Sequence, residues 1–224
     1  MKLTIIHILL LLCIVFEIPG YAQSEQDMTH NSISIPLKIG ENPSIHFQTL
    51  KIEPVNLFKP LEAKNKHVSP IQLELKITEN NTEHTTFLWH NTDAPDSPKT
   101  NYPKAFNDYV FSLTINKEDV ALVVEKLNYG TPFFIDLGQT AVIKNITVLF
   151  ETCIGEWSED LNGNQVAAFN TYSVSLCDEN NQETISFTSL DTSVKNELVI
   201  AWKNYKFLVL EDSENALKLM ILEK

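Results

Sequence analysis

No arginine occurs in this chain. All 17 of its cations are lysines, set against 29 aspartates and glutamates, for a formal charge of −12. Bidentate guanidinium clamps on phosphate or carboxylate are therefore missing. A chain this acidic also lacks the cationic surface that neutralises a phosphate backbone, so the expectation is no nucleic-acid partner. Glycine is scarce, six in 224 residues, and no glycine-rich loop stands ready to cradle a phosphate. There is no Gly-x-Ser-x-Gly elbow and no His-Glu-x-x-His pair, so nucleophilic catalysis and a zinc protease site have no signature. Cysteine is confined to positions 13, 153 and 177. After the N-terminal stretch, no apolar run approaches the ~20 residues that cross a bilayer.

What is present begins with a targeting pattern. Lys2 precedes an apolar run broken only by Thr4 and His7, Pro19 and Gly20 follow, and Gly20-Tyr21-Ala22 carries small residues at the −3 and −1 positions of a cleavage site. Residues 1–22 read as a secretory signal peptide, with the mature chain starting near Gln23. A lipid attachment at Cys13 would want a small residue before it, and Leu12 stands there. Residues 23–32 are polar and read as a disordered lead. Export into an oxidising compartment permits a disulfide between Cys153 and Cys177. Two small buried thiols are the alternative, since strand order decides whether the two can meet.

Internal similarity is the strongest feature. Leu37-Lys-Ile-Gly40 with Ile45, Thr49 and Glu53 returns 98 residues later as Ile135-Asp-Leu-Gly138 with Ile143, Thr147 and Glu151. Glu79-Asn80-Asn81 and Phe87 return after 100 residues as Glu179-Asn180-Asn181 and Phe187. Ala105-Phe106, Tyr109 and Phe111 return after 96 as Ala201-Trp202, Tyr205 and Phe207. Three collinear blocks predict a duplication, with repeats at 33–127 and 128–224, each large enough for its own small core. The joint at Asn128-Tyr129-Gly130 is too short for a flexible linker, so the halves should touch.

The periodicity is that of strands. Ile71, Leu73, Leu75 and Ile77 alternate with polar residues, as do Ile33, Ile35, Leu37 and Ile39. Turn chemistry separates the runs, and Asn162-Gly163 suits a type I′ hairpin. Gly40 and Gly138 mark turns that need positive φ. Residues 215–224 have helix-forming content, but the matching Val120, Val123 and Val124 argue for a strand in both halves. The expected fold is all-β: two tandem antiparallel β-sandwich repeats of immunoglobulin-like size.

Candidate chemistry is sparse. The aromatic block could form a binding platform, but its alternation is that of core residues. Glu156, Asp160, Asn162 and Asn164 offer oxygens at a spacing that suits calcium, although the glycine falls at the fourth position and no bidentate glutamate closes a loop. Trp157 sits among them. The proline-bearing stretch 91–104 holds Asp93, Asp96 and Tyr102 and is the loop to expect a partner on. Carboxylate pairs such as Glu151/Glu156 and Asp178/Glu179 occur at the frequency expected by chance in so acidic a chain. The acidity is uneven: residues 33–127 carry 10 lysines and 12 acids, residues 128–224 carry 6 and 14.

The reading that follows is an exported, non-catalytic binding or structural module with a protein or glycan partner, no cofactor unless calcium, and a periplasmic, secreted or cell-surface location. The lysine, asparagine and isoleucine bias suggests a Gram-negative source of the Bacteroidota type. The alternatives are a small hydrolase acting on glycan or peptide, and an inhibitor docking through 91–104.

Overall fold

The computed structural model describes residues 31–40, 42–59, 71–91, 99–116, 119–179, 181–195 and 198–224. Residues 1–22, where a signal peptide is expected, lie outside the described residues, as do Asp93 and Asp96. The elements are β1 (Ser32–Leu37), β2 (Ile45–Phe47), β3 (Leu50–Phe58), β4 (Ile71–Glu79), β5 (Thr82–His90), β6 (Lys104–Phe106), β7 (Tyr109–Asn116) and β8 (Asp119–Lys126). There follow β9 (Phe133–Asp136), β10 (Thr140–Ile143), β11 (Ile146–Glu159), β12 (Gln165–Asp178), β13 (Asn181–Thr188), α1 (Ser189–Lys195), β14 (Leu198–Trp202), β15 (Tyr205–Asp212) and β16 (Ala216–Glu223). The molecule is almost entirely strand, as the period-two pattern requires, and the C-terminal segment is strand β16. No helix among the described residues is long and apolar enough to cross a membrane. Ser32 opens β1, and Asn31 accepts a hydrogen bond from Lys126, so this end of the polar lead is ordered.

Three sheets are formed. One has eight strands in the order β1-β8-β7-β6-β9-β16-β15-β14; two have four, β2-β3-β4-β5 and β10-β11-β12-β13. The pairing scheme of the first eight strands recurs in the last eight, but the halves are not separate sandwiches, because they share the long sheet. Three antiparallel steps lead from β1 to β6, so β6 runs opposite to β1. β6 and β9 are parallel, which makes β9 also opposite to β1. Keeping the order across the sheet while reversing the strands turns its faces over. Consecutive residues of β7 show the result: Tyr109 and Phe111 enter the core beneath β2–β5, whereas Val110 enters the core beneath β10–β13. The two small sheets therefore cover opposite faces of the long one.

The joining point is narrow. One register pair, Lys104↔Phe134, links β6 to β9, with the Phe134 N–H donating to Pro103 O at 2.7 Å. Lys104 is buried there, its ammonium 2.8 Å from Asp136 Oδ2 and 3.3 Å from the carbonyl of Phe87. A cation in such a position is tolerable only because partners replace its lost water.

The tight turns recur too. Gln48, Lys144, Asn107 and Lys203 are left-handed, with φ of 53°, 54°, 49° and 50°. They open the β2–β3, β10–β11, β6–β7 and β14–β15 hairpins. Gly40 and Gly138 both have positive φ, as the turns they mark demand. Extra residues open the registers after Pro54 and after Phe150.

These turns correct two of the sequence alignments. The β2–β3 and β10–β11 hairpins match at an offset of 96, so Glu151 corresponds to Val55, not to Glu53. A slip of two residues leaves every side chain on its own face, which is why alternation cannot detect it. The hairpins Glu79↔Thr82 and Asp178↔Asn181 match at 99, not 100. That single step pairs Phe187 with Leu88, both in the cores, while Phe87 points outward. The aromatic block keeps its offset of 96, and Tyr109, Phe111, Trp202 and Phe207 are buried, as core residues.

Removing one member of the joining ion pair should be costly. Asp136→Ala strands the Lys104 ammonium, and a loss of roughly 1–3 kcal/mol is expected, below the full buried-pair figure because Asp136 is partly exposed. The double variant Lys104→Met/Asp136→Leu should recover most of it. Urea unfolding of the three proteins measures both.

Candidate functional site

β11 and β12 are 14 residues each, far longer than their sheet needs. Their inner halves pair with β10 and β13, but the outer ends run on as a two-stranded ribbon from about Ile154 to Phe169. The burial pattern records the exit: Ile146, Val148 and Phe150 are buried, and residues 155–159 are exposed. On the ribbon, Trp157 is 65% exposed, and Ile154 and Val166 are also open. Leu161, at the tip, is entirely exposed. Glu156, Glu159 and Asp160 interleave with them, and no lysine occurs from 145 to 194.

The tip is held by one carboxylate. Asp160 Oδ1 accepts from the main-chain N–H groups of Asn162 (2.8 Å) and Asn164 (2.9 Å), and Oδ2 accepts from Asn164 Nδ2 (3.0 Å). These donors, the Asn164 side chain foremost, hold the Asp160 carboxyl below its ordinary range. The loop is not the type I′ turn that Asn162-Gly163 suggested. Gly163 has φ of +79°, Asn162 is not left-handed, and five residues lie between the last paired residues Glu159 and Gln165. The aspartate closes the chain onto itself instead.

This bears on the calcium ligands. Asp160 has both oxygens engaged by its own turn, Asn162 and Asn164 contribute N–H groups to it, and Glu156 stands opposite Phe169 on the ribbon. Among the described residues no group of three or more His, Cys, Asp or Glu is gathered as for a metal ion.

The root of the ribbon is anchored by a half-buried polar relay. Tyr172 OH donates to Asp212 Oδ2 at 2.8 Å, Thr192 Oγ1 donates to Asp212 Oδ1 at 2.6 Å, and the Asn170 N–H donates to Ser189 Oγ at 3.0 Å. Burial, then the Asp212 carboxylate, raise the Tyr172 phenol. Cys153 lies beside Tyr172, and burial with Glu214 and Asp212 nearby raises its thiol.

The disulfide does not form. Both cysteines are free thiols. Cys153 pairs with Tyr172 and faces the core, whereas Cys177 pairs with Thr147 on the opposite face, five residues further along β12. That is about 17 Å of strand, well beyond the reach of a disulfide.

Tyr102 belongs to the frame. It is half-buried against the first core, its hydroxyl 3.1 Å from His90 Nδ1. The described end of the 91–104 stretch is sewn to β5: Asn101 Oδ1 accepts from the Trp89 N–H (2.8 Å) and its Nδ2 donates to Phe87 O (2.8 Å). His84 stacks on Phe106 at 5.2 Å, and burial lowers its imidazole. A shallow depression of about 330 Å³ on the outer face of β3–β5 is lined by Asn56, Leu57, Phe58, Gln72, Glu74 and Phe87. Sequence reasoning found Trp157 but missed Ile154, Leu161, Val166 and Phe87. The available signal was the length of the 145–178 stretch and its lack of lysine.

No family model matches the chain, and no curated protein matches it.

The tip should respond to acid. A carboxyl held low contributes order that is complete above the ordinary aspartate range and is lost as pH falls through its own lowered value, so the turn should open below about pH 4. Asp160→Ala should open it at neutral pH. Hydrogen exchange at the Asn162 and Asn164 amides reads both, with acceleration of at least about tenfold expected in the variant.

Proposed function

We propose that this chain is an exported, non-catalytic binding module built from two copies of one β unit of about 95 residues, with the β11–β12 ribbon as its contact element. The observation that carries the reading is the ribbon itself. It stands clear of both cores, its tip is pinned by Asp160, its root is pinned through Tyr172 and Asp212, and Trp157 and Leu161 are exposed on it. Exposed large apolar groups on a rigid support are the usual anchors of a recognition surface. The acidic residues between them favour a partner with cationic or hydrogen-bond-donating groups, protein or glycan.

Support for the duplication comes from the recurrence of one pairing scheme, from left-handed residues 96 apart in two pairs of hairpins, and from extra residues in the matching long strands. Support for export comes from residues 1–22 alone.

Two measurements test this. Trp157→Ala should leave the melting temperature unchanged and abolish retention of a partner from cell-envelope extract or on a glycan array; equal retention would remove the ribbon from the contact. For the duplication, exchanging Lys203-Asn204 for the first half's turn (Lys203→Asn/Asn204→Asp) should lower the melting temperature by no more than about 5 °C, since what is lost is the partly exposed Lys203–Asp178 ion pair and the contact of Lys203 with the Trp202 ring. Failure to fold would argue against a shared ancestor.

A further inference from the structure

The long sheet ends in two edges that are not alike, β1 on one side and β14 on the other. β14 and β15 meet in a two-residue turn at Trp202↔Tyr205, so Trp202, Ile200 and Leu198 direct their main-chain groups toward β15. The N–H and C=O of Val199 and Ala201 therefore point away from the sheet. Among the described residues nothing pairs with them. Val199 is 50% exposed, and Leu198–Trp202 contains neither a charge nor a proline, the residues that ordinarily blunt an edge.

The seam within the chain shows what such an edge accepts. β6 is the matching strand of the first half, and its outward groups are those of Pro103 and Ala105, which stand 96 residues before Val199 and Ala201. Pro103 O receives the Phe134 N–H of β9. A second copy offering its β1 in the manner of β9 would bring Pro36 to the position of Phe134, and proline has no N–H to give. It would also bring Lys38 to the position of Asp136, facing Ile200 where Lys104 stands. That join lacks both the hydrogen bond and the ion pair. Pairing β14 with β14 meets neither obstacle, since Val199 and Ala201 both carry an N–H and no charge is involved.

We propose that β14 is the docking edge for a second copy of this chain, paired antiparallel about Ile200 into a two-fold dimer. Val199 then faces the partner's Ala201, and Ala201 the partner's Val199, with main-chain hydrogen bonds formed in both directions at each pair. No like charges are brought face to face within the strand. The offset between the halves rests on the repeat reading above, but the dimer is read by mass and is independent of Trp157.

Sedimentation velocity of the protein as recovered from cells, from about 1 to about 100 µM, tests the proposal. The expected result is a monomer–dimer equilibrium. Val199→Pro removes an outward N–H at a position where the first half already carries proline, and Ala201→Lys puts a charge on the edge. Each should weaken the dimer at least about tenfold with the circular dichroism unchanged. If Val199→Pro does not fold, Ala201→Lys decides alone. Ser34→Pro, on the outer edge of β1, should leave the dimer intact. A monomer throughout, an open ladder of higher oligomers, or a dimer unmoved by Ala201→Lys overturns the proposal.

Discussion

The seam between β6 and β9 governs the molecule. A parallel join there, made by one main-chain pair and the Lys104–Asp136 contact, reverses the direction of every strand in the second half relative to its counterpart. Had the join been antiparallel, both small sheets would lie on the same face of the long one and would compete for room. Because it is parallel, Val110 serves one core and its neighbours Tyr109 and Phe111 serve the other. The buried ammonium is fixed by a carboxylate from one side and a carbonyl of β5 from the other, so the seam ties the long sheet to the sheet above it as well as to itself.

Much of this was legible in the residues. Alternation in Ile71 to Ile77 marked a strand, and the matching valines of β8 decided correctly for strand at the C-terminus. Tyr109, Phe111, Trp202 and Phe207 read as core residues and are buried. What stayed hidden follows from how strands encode information. A period of two reports which face a residue takes, but not its neighbour, so the offset near Glu53 could drift by two residues unseen. Offsets differ at each turn because each turn sets its own register. The shared sheet was only half legible: the short joint at Asn128-Tyr129-Gly130 required the halves to touch, but the residues that make the seam, Lys104 and Asp136, look like ordinary surface charges in a strand.

The site shows the same limits. Trp157 drew notice as an aromatic in an acidic stretch, and it is exposed. Asp160, Asn162 and Asn164 were noticed for oxygen spacing, yet the structure uses them for turn closure, with amide hydrogens satisfying the carboxylate. Sequence spacing reports which atoms are near one another along the chain; it does not report which of them are already spoken for. Cys153 and Cys177 illustrate the point in covalent form, since one residue parity separates two thiols onto different faces of one sheet.

The turning-over of the long sheet has a consequence for how the molecule meets its surroundings. Each half leaves bare the face that the other half covers, so there is no single front and back. One bare surface presents Ser34, Ser112 and Thr114; the other presents Val199, Met220 and Leu222, with Lys206 and Lys218 among them. Approached from one side the protein offers a hydroxyl-bearing shelf beside a dome, and from the other a shelf of aliphatic and lysine side chains beside a dome. Two halves with one pairing scheme, joined head over heels, thus turn differently composed surfaces to opposite sides.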